Sequence, residues 1–459
     1  MDQPTTPASP KGLGLAVAAA QLALALSWTV YVVFLPALAA QAGLPPRAVL
    51  WLLVVDQAVF VLADYACGVA SDRVLALHRR LAPWLAGATV LSAAAFLALP
   101  WLAPQGSPAV FVAVTLLWTA TSSALRAPPL NLIGRHAAKP AQPGLVALAM
   151  LGLGLAAAVA PWLALWLKGA DPRWPFVCAS AGVVLAALAL AWAERHAAPR
   201  PVAVSTPSQP PAAASRWLLL LAAALLAALA LQLHTSLNAA AQFRRFVAAD
   251  ALPLWLPVFW AAFNLALWPA MKLAPKFGEL RLVAAGAALG AAAAAVALAA
   301  PSLHVLAGAQ ALAGAAWAAM LAGGFMAALA LGHVGREGRF SGAVSSSLAG
   351  ASMLRLVLVA SGTAAASSRS MAARARCSGV GGMERSSASV ARTCPTTRHA
   401  RHRCSGGRTA GRRIHDRDYP ASPARRPVLR GGMGPAATAF VAGMAACACT
   451  RPRATSPMR

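Results

Sequence analysis

Two aspartates, Asp56 and Asp64, stand in a stretch that is otherwise apolar, VLWLLVVDQAVFVLADYACG. An ionised carboxylate is costly where water is scarce, so an acid kept in such a run either meets a partner or binds and releases a proton. At helical pitch the two residues lie about two turns apart and are rotated by roughly 80°. Both are candidates for carrying a proton. Asp56 is the better placed, because Asp64 falls within a turn of the end of the run. The plain alternative is a structural salt bridge or an interhelical hydrogen bond.

Immediately downstream, GVASDRVLALHRR gathers charge at one short point, with Gly68, Asp72 and Arg73 at its head. An Asp just past a helix end can accept the free N–H groups at the start of another helix. Further on, LQLHTSLNAAAQF carries His234 and Asn238 four residues apart, on one face of a regular helix. Together with Tyr31, Asn264 and Gln310 they are candidates for lining a polar cavity, with side-chain packing as the bland alternative. In MLGLGLAAAVAPWLALWL, Gly152, Ala156, Ala160 and Ala164 recur every four residues beside Pro161. Small residues at that spacing make a smooth face for close helix packing.

Soluble-enzyme chemistry is missing: there is no HExxH, GxSxG, phosphate-binding Walker loop or CxxC. The stretch CPTTRHARHRC (394–404) has two Cys and two His, but no apolar surroundings that would hold them around a metal. No catalytic residue, metal or cofactor is assigned.

What must position these residues is a set of membrane helices. The chain of 459 residues is 59% hydrophobic and only 11% charged, against about a quarter charged in soluble domains. Its apolar runs reach the ~20 residues that one bilayer-spanning helix needs. Eleven spans are predicted, at roughly 13–38, 48–70, 82–102, 109–126, 144–167, 174–192, 217–240, 252–272, 281–300, 303–331 and 341–364. A cytoplasmic N-tail (1–12) precedes a six-helix half (13–192), a Pro/Ser/Ala-rich cytoplasmic linker (193–216) and a five-helix half (217–365). With the N-terminus inside, fifteen Lys and Arg fall in inner segments and five in outer loops, the bias that cytoplasmic loops show. A shift of about 203 residues lays the first span on the seventh and SDRVLALHRR on APKFGELR. Two halves so related are a transporter architecture, with a solute site between them near the midplane.

Two six-helix halves, a long central loop and a charged loop between spans 2 and 3 resemble the major facilitator superfamily, over about residues 10–365. That family's signature runs Gly-x-x-x-Asp-Arg-x-Gly-Arg-Arg. Gly68, Asp72 and Arg73 match it, Leu75 replaces the second Gly, and the basic pair comes three residues late as Arg79 and Arg80. In the second half Lys276 and Gly278 match, while Pro275 replaces the Asp and Glu279 a basic residue. The resemblance implies that Asp72 faces the start of helix 11 and pairs with an Arg at the inner end of helix 4, for which Arg126 is the candidate. It also implies that helix 5 of proton-coupled exporters is Gly-rich with a Gly-Pro step; here the step is Ala160-Pro161. The expected protein is an all-α polytopic secondary transporter in a bacterial inner membrane, a monomer. It would move a small solute by alternating access, with protons as candidate coupling ions, export as a candidate direction and no nucleic-acid partner. Two alternatives stay open: a membrane-embedded protein that does not transport, and a non-functional product.

After about residue 365 the composition changes. Residues 366–459 contain no Trp, Lys, Asn or Gln and are dominated by Arg, Ser, Ala, Gly, Pro, Thr and Cys. A disordered basic tail accounts for this, and so does a shifted reading frame in GC-rich DNA, the reading favoured here. The shift also explains why no twelfth span follows the eleventh, beside which the repeat is expected to place it.

Overall fold

The computed structural model describes residues 10–78, 80–197, 214–332 and 336–361. The Arg-rich tail from 366, with its CPTTRHARHRC stretch, and most of the expected linker lie outside the described residues. Fourteen α-helices are described: α1 (Pro10–Gln41), α2 (Pro46–His78), α3 (Ala82–Leu102), α4 (Pro108–Ser122), α5 (Pro128–His136), α6 (Gln142–Trp166), α7 (Arg173–His196), α8 (Ala214–Leu233), α9 (Ala239–Phe243), α10 (Leu252–Trp255), α11 (Pro257–Phe277), α12 (Glu279–Ala299), α13 (Leu303–Gly332) and α14 (Glu337–Ala360). They make eleven stretches long and apolar enough to cross a membrane. Three of these are broken, where α4 passes into α5, α8 into α9 and α10 into α11.

Local chemistry sets the ends and the breaks. Gly43 takes a φ of 83°, a conformation that L side chains avoid, and so closes α1. Leu44 N–H then reaches back to the Ala39 carbonyl at 2.8 Å. The pair Pro128-Pro129 removes two N–H donors and ends the α4 helix in a 3₁₀ turn, Ser123–Leu125. The carbonyls freed at Leu125 and Arg126 are taken by one side chain of α1, Gln21 Nε2, at 3.2 and 2.9 Å. At His234–Asn238 a π-turn inserts one extra residue between α8 and α9.

Three boundaries differ from the sequence reading. The fourth stretch, expected to end near 126, continues through α5 to His136. GVASDRVLALH is not a loop but the last turns of α2, which runs unbroken to His78; nothing in those residues breaks a helix. Likewise α7 runs to His196, into the segment read as linker. There Glu194 is buried and accepts the Leu81 and Ala82 N–H groups at 2.7 and 2.6 Å, fixing the entry to α3.

The packing repeats between halves. In the first half α1 packs on α6 and α3 on α4; in the second α8 packs on α14 and α12 on α13. The halves meet along α2 with α14 and α6 with α11. One relation has no counterpart. Helix α7 covers both α1 and α3, but among the described residues no helix covers α8 and α12 in the same way. Leu219 of α8 is 71% exposed and Leu298 of α12 is 68% exposed. The repeat thus leaves α8 and α12 without a counterpart of α7 among the described residues.

Candidate functional site: a cavity between the halves

The arrangement leaves a cavity of about 380 Å³, lined from both halves by α1, α2, α4, α6, α8, α11, α13 and α14. Its wall is mostly aromatic and aliphatic, with Trp28, Phe60, Trp118, Phe259 and Trp260 among the lining residues. Polar groups punctuate it: Gln21, Gln57, Gln232, Thr235, Ser236, Gln310, Ser345 and Ser352, together with two arginines, Arg126 and Arg355. An apolar pocket with a few polar groups suits a small molecule.

On the side where α1 begins, the halves are tied together. Asp72 accepts the Gly338 and Arg339 N–H groups of α14, both at 2.8 Å, and Asn131 Nδ2 at 2.9 Å. Its charge thus lies on the positive end of α14. Just above, glycines let the two backbones touch. A side chain on Gly68 would collide with the Gly338 carbonyl, and one on Gly342 would come within 2.7 Å of the Asp64 carbonyl.

The expected pairing of Arg126 with Asp72 is not made. Because the proline break ends α4 where it does, Arg126 turns toward the middle of α2. Its Nε lies 3.3 Å from Asp64 Oδ2, and its guanidinium stacks on Phe60 at 4.2 Å. The pair is an ion pair without aligned hydrogen bonds, since neither Asp64 oxygen has a hydrogen-bond partner. Asn131, which sequence reasoning passed over, takes the place expected for Arg126. Arg73 follows Asp72 in the last turns of α2, exposed and without a described ion pair.

Asp56 lies inside the first half. Tyr31 Oη donates to Oδ2 at 2.6 Å and Thr119 Oγ1 to Oδ1 at 2.9 Å. It stands one layer behind the cavity, since Tyr31 packs on Trp28 and Trp118, both of which line it. Tyr31 itself is fully buried and is no lining residue.

Of the other candidates, Gln310 lines the cavity. His234 stands behind it, its Nε2 2.9 Å from Gln310 Oε1, and Asn238 is exposed elsewhere. The π-turn between them breaks the regular spacing that would put His234 and Asn238 on one face, and Gln232, Thr235 and Ser236 line the wall instead. Asn264 is also absent from the wall, being packed against Gly154 of α6. On α6, a side chain on Gly152 would strike the Ala18 carbonyl of α1. Ala156 and Ala160 are buried above it, Ala160 and Pro161 reach the cavity, and Ala164 is half-buried.

Most of the polar lining residues were missed in the sequence, among them Gln21, Gln57, Thr235, Ser345, Ser352 and Arg355. Arg355 carried the clearest signal, a lone arginine in the apolar run MLRLVLVA, where an ionisable group inside a membrane helix points to function.

Comparison with known proteins agrees with this architecture. A family profile described as Major Facilitator Superfamily matches residues 17–355. No curated protein matches in sequence. Among solved structures, the human organic anion transporter MFSD10 (TETRAN) is similar with a TM-score of 0.61 and 17% identity, over 79% of this chain and 95% of that one. The proton:xylose symporter XylE gives 0.55 and 16%, over 76% and 87%. A bacterial homologue of the iron transporter ferroportin, in an outward-facing state, gives 0.54 and 14%, over 76% and 91%. Those three proteins are named for an organic anion, a sugar and iron. At these identities the likeness shows the fold, and the fold does not choose the cargo.

Proposed function

The chain belongs to the major facilitator superfamily, and we propose that it is a secondary transporter carrying a small solute across a bacterial inner membrane by alternating access. The observation that carries this is one cavity lined from both halves, with the halves held together at one end by Asp72 on the first turn of α14. Rocking about that cavity would open one end as the other closes. The excess of Lys and Arg on the side where α1 begins supports reading that side as the cytoplasmic one. The described state is then closed to the cytoplasm.

Coupling to protons has two candidate carriers. Asp64 is in contact with a cavity arginine, so the occupancy of the cavity and the charge of Asp64 are linked directly. Asp56 is linked only through Tyr31, Thr119 and the aromatic wall. The test is uptake and counterflow in proteoliposomes across a solute panel, with and without an imposed pH gradient. Movement of at least one solute that depends on the protein supports the reading. No protein-dependent movement in either direction contradicts it.

A further inference from the structure

We propose that the cavity takes an organic anion with an aromatic or aliphatic body; this rests on the transporter reading and names its substrate class. The carrying residue is Arg355 of α14. It is 8% exposed, lines the cavity, and makes no hydrogen bond or ion pair with any described residue; its Nε is buried without a partner. A guanidinium is always charged, and burying it unpaired is expensive. An arginine serving only to reach the membrane surface would extend outward and be exposed. Arg355 does the opposite and turns into the wall of the cavity.

The rest of the wall fits the same cargo. Arg126, from the other half, is the second cation, and its charge is already met by Asp64. No Asp or Glu is among the residues that line the cavity. An anion therefore meets one unmet positive charge and hydroxyl or amide donors such as Ser352 and Gln232, but no carboxylate to repel it. Trp28, Trp118 and Trp260 offer faces for an apolar body. Arg355 lies within the last two turns of α14, at the end away from the Asp72 tie. An anion entering from the open side would reach it before reaching Arg126. The guanidinium fork suits a carboxylate, sulfonate or phosphate equally. The shared requirement is a negative group on an apolar frame.

The experiment uses the purified full-length chain and three probes with one ring system: 2-naphthoate, the neutral 2-naphthamide and the cationic 2-naphthylmethylamine. Binding of radiolabelled 2-naphthoate and its displacement by the others are read without any ion gradient. The anion is expected to bind about tenfold or more tighter than the amide, the scale of a hydrogen bond to a charged group. Arg355→Gln should remove that preference by lowering anion affinity about tenfold more than amide affinity, and Arg355→Lys should keep part of it. Unaltered melting of the variants separates this from misfolding, and the wild-type preference needs no variant at all. Equal or weaker binding of the anion, or no binding by any probe, overturns the proposal. So does a preference that survives Arg355→Gln. Counterflow of the same probes separates the two readings: amide moved as well as anion removes the anion site and leaves transport, whereas anion bound but not moved leaves the site and removes transport.

Discussion

Asp72 of α2 and Gly338 of α14 are joined across the two halves by a carboxylate–amide hydrogen bond of 2.8 Å, with Arg339 N–H bound by the second oxygen at the same distance. This places a negative charge on the exposed donors of a helix start, where charge and capping act together. The tie holds only while the halves are closed on this side, so its strength enters the balance between the two states of the cycle.

Asp72→Asn keeps one oxygen acceptor but removes the charge. It should weaken the closed state by about 1–2 kcal/mol, or roughly 5- to 30-fold in population. The effect should couple with Asn131→Ala, whose amide shares the Asp72 carboxylate, and should simply add to that of Arg126→Ala, which lies on Asp64 instead. Double-mutant cycles on the closed-state population check both statements. Strong coupling of Asp72 with Arg126 would refute the assignment.

Gly68→Ala tests the backbone contact itself. The added methyl meets the Gly338 carbonyl and comes 3.0 Å from the Gly342 Cα, and neither is the flexible end of a side chain. The helices must separate, at a cost of about 1–3 kcal/mol. A lowered thermal midpoint, together with greater labelling of the cavity from the α1-start side, is expected. Wild-type behaviour in both readouts would show that α2 and α14 do not approach this closely.

The Asp64–Arg126 pair should respond asymmetrically. The Asp64 side chain is fully buried, whereas that of Arg126 is 25% exposed in the cavity. Arg126→Gln strands a carboxylate without water, which costs about 3–5 kcal/mol unless it takes up a proton. Asp64→Asn leaves an arginine that water can reach and should cost distinctly less. Urea or thermal unfolding in detergent checks the order. The reverse order would mean that Asp64 is hydrated in the protein.

Asp56→Asn preserves the size of the side chain that Tyr31 and Thr119 hold. If Asp56 carries the proton, gradient-driven accumulation is lost while counterflow persists. If Asp64 carries it, Asp64→Asn gives that result and Asp56→Asn does not. Accumulation retained in both variants would exclude the two acids as coupling groups.

Much of this was legible in the residues. Apolar run length is a one-dimensional property, so each predicted span overlaps one observed span, and the family resemblance carried by Gly68, Asp72 and Arg73 implied that Asp72 meets the start of the eleventh span. What could not be read was rotation. His234 and Asn238 share a face only if the helix between them is regular, and the π-turn makes it irregular. Arg126 points where the Pro128-Pro129 break sends it, and a spacing rule does not contain that angle. Tyr31 and Asn264 are polar residues in apolar spans whose partners, Asp56 and the groove at Gly154, come from other helices. Arg355 is the opposite case: its type and setting were enough to single it out in the sequence, and the reading passed it over.

The central claim is that one cavity is reached from each side of the membrane in turn. A direct test places a single cysteine at Ser236, on the cavity wall, in a chain whose seven native cysteines have been replaced. A membrane-impermeant maleimide is then applied from one side of sealed vesicles and, separately, from the other. The account predicts labelling from both sides, with Asp72→Asn raising the rate from the α1-start side and lowering it from the opposite side. Labelling from one side alone, at a rate that Asp72→Asn leaves unchanged, would contradict it.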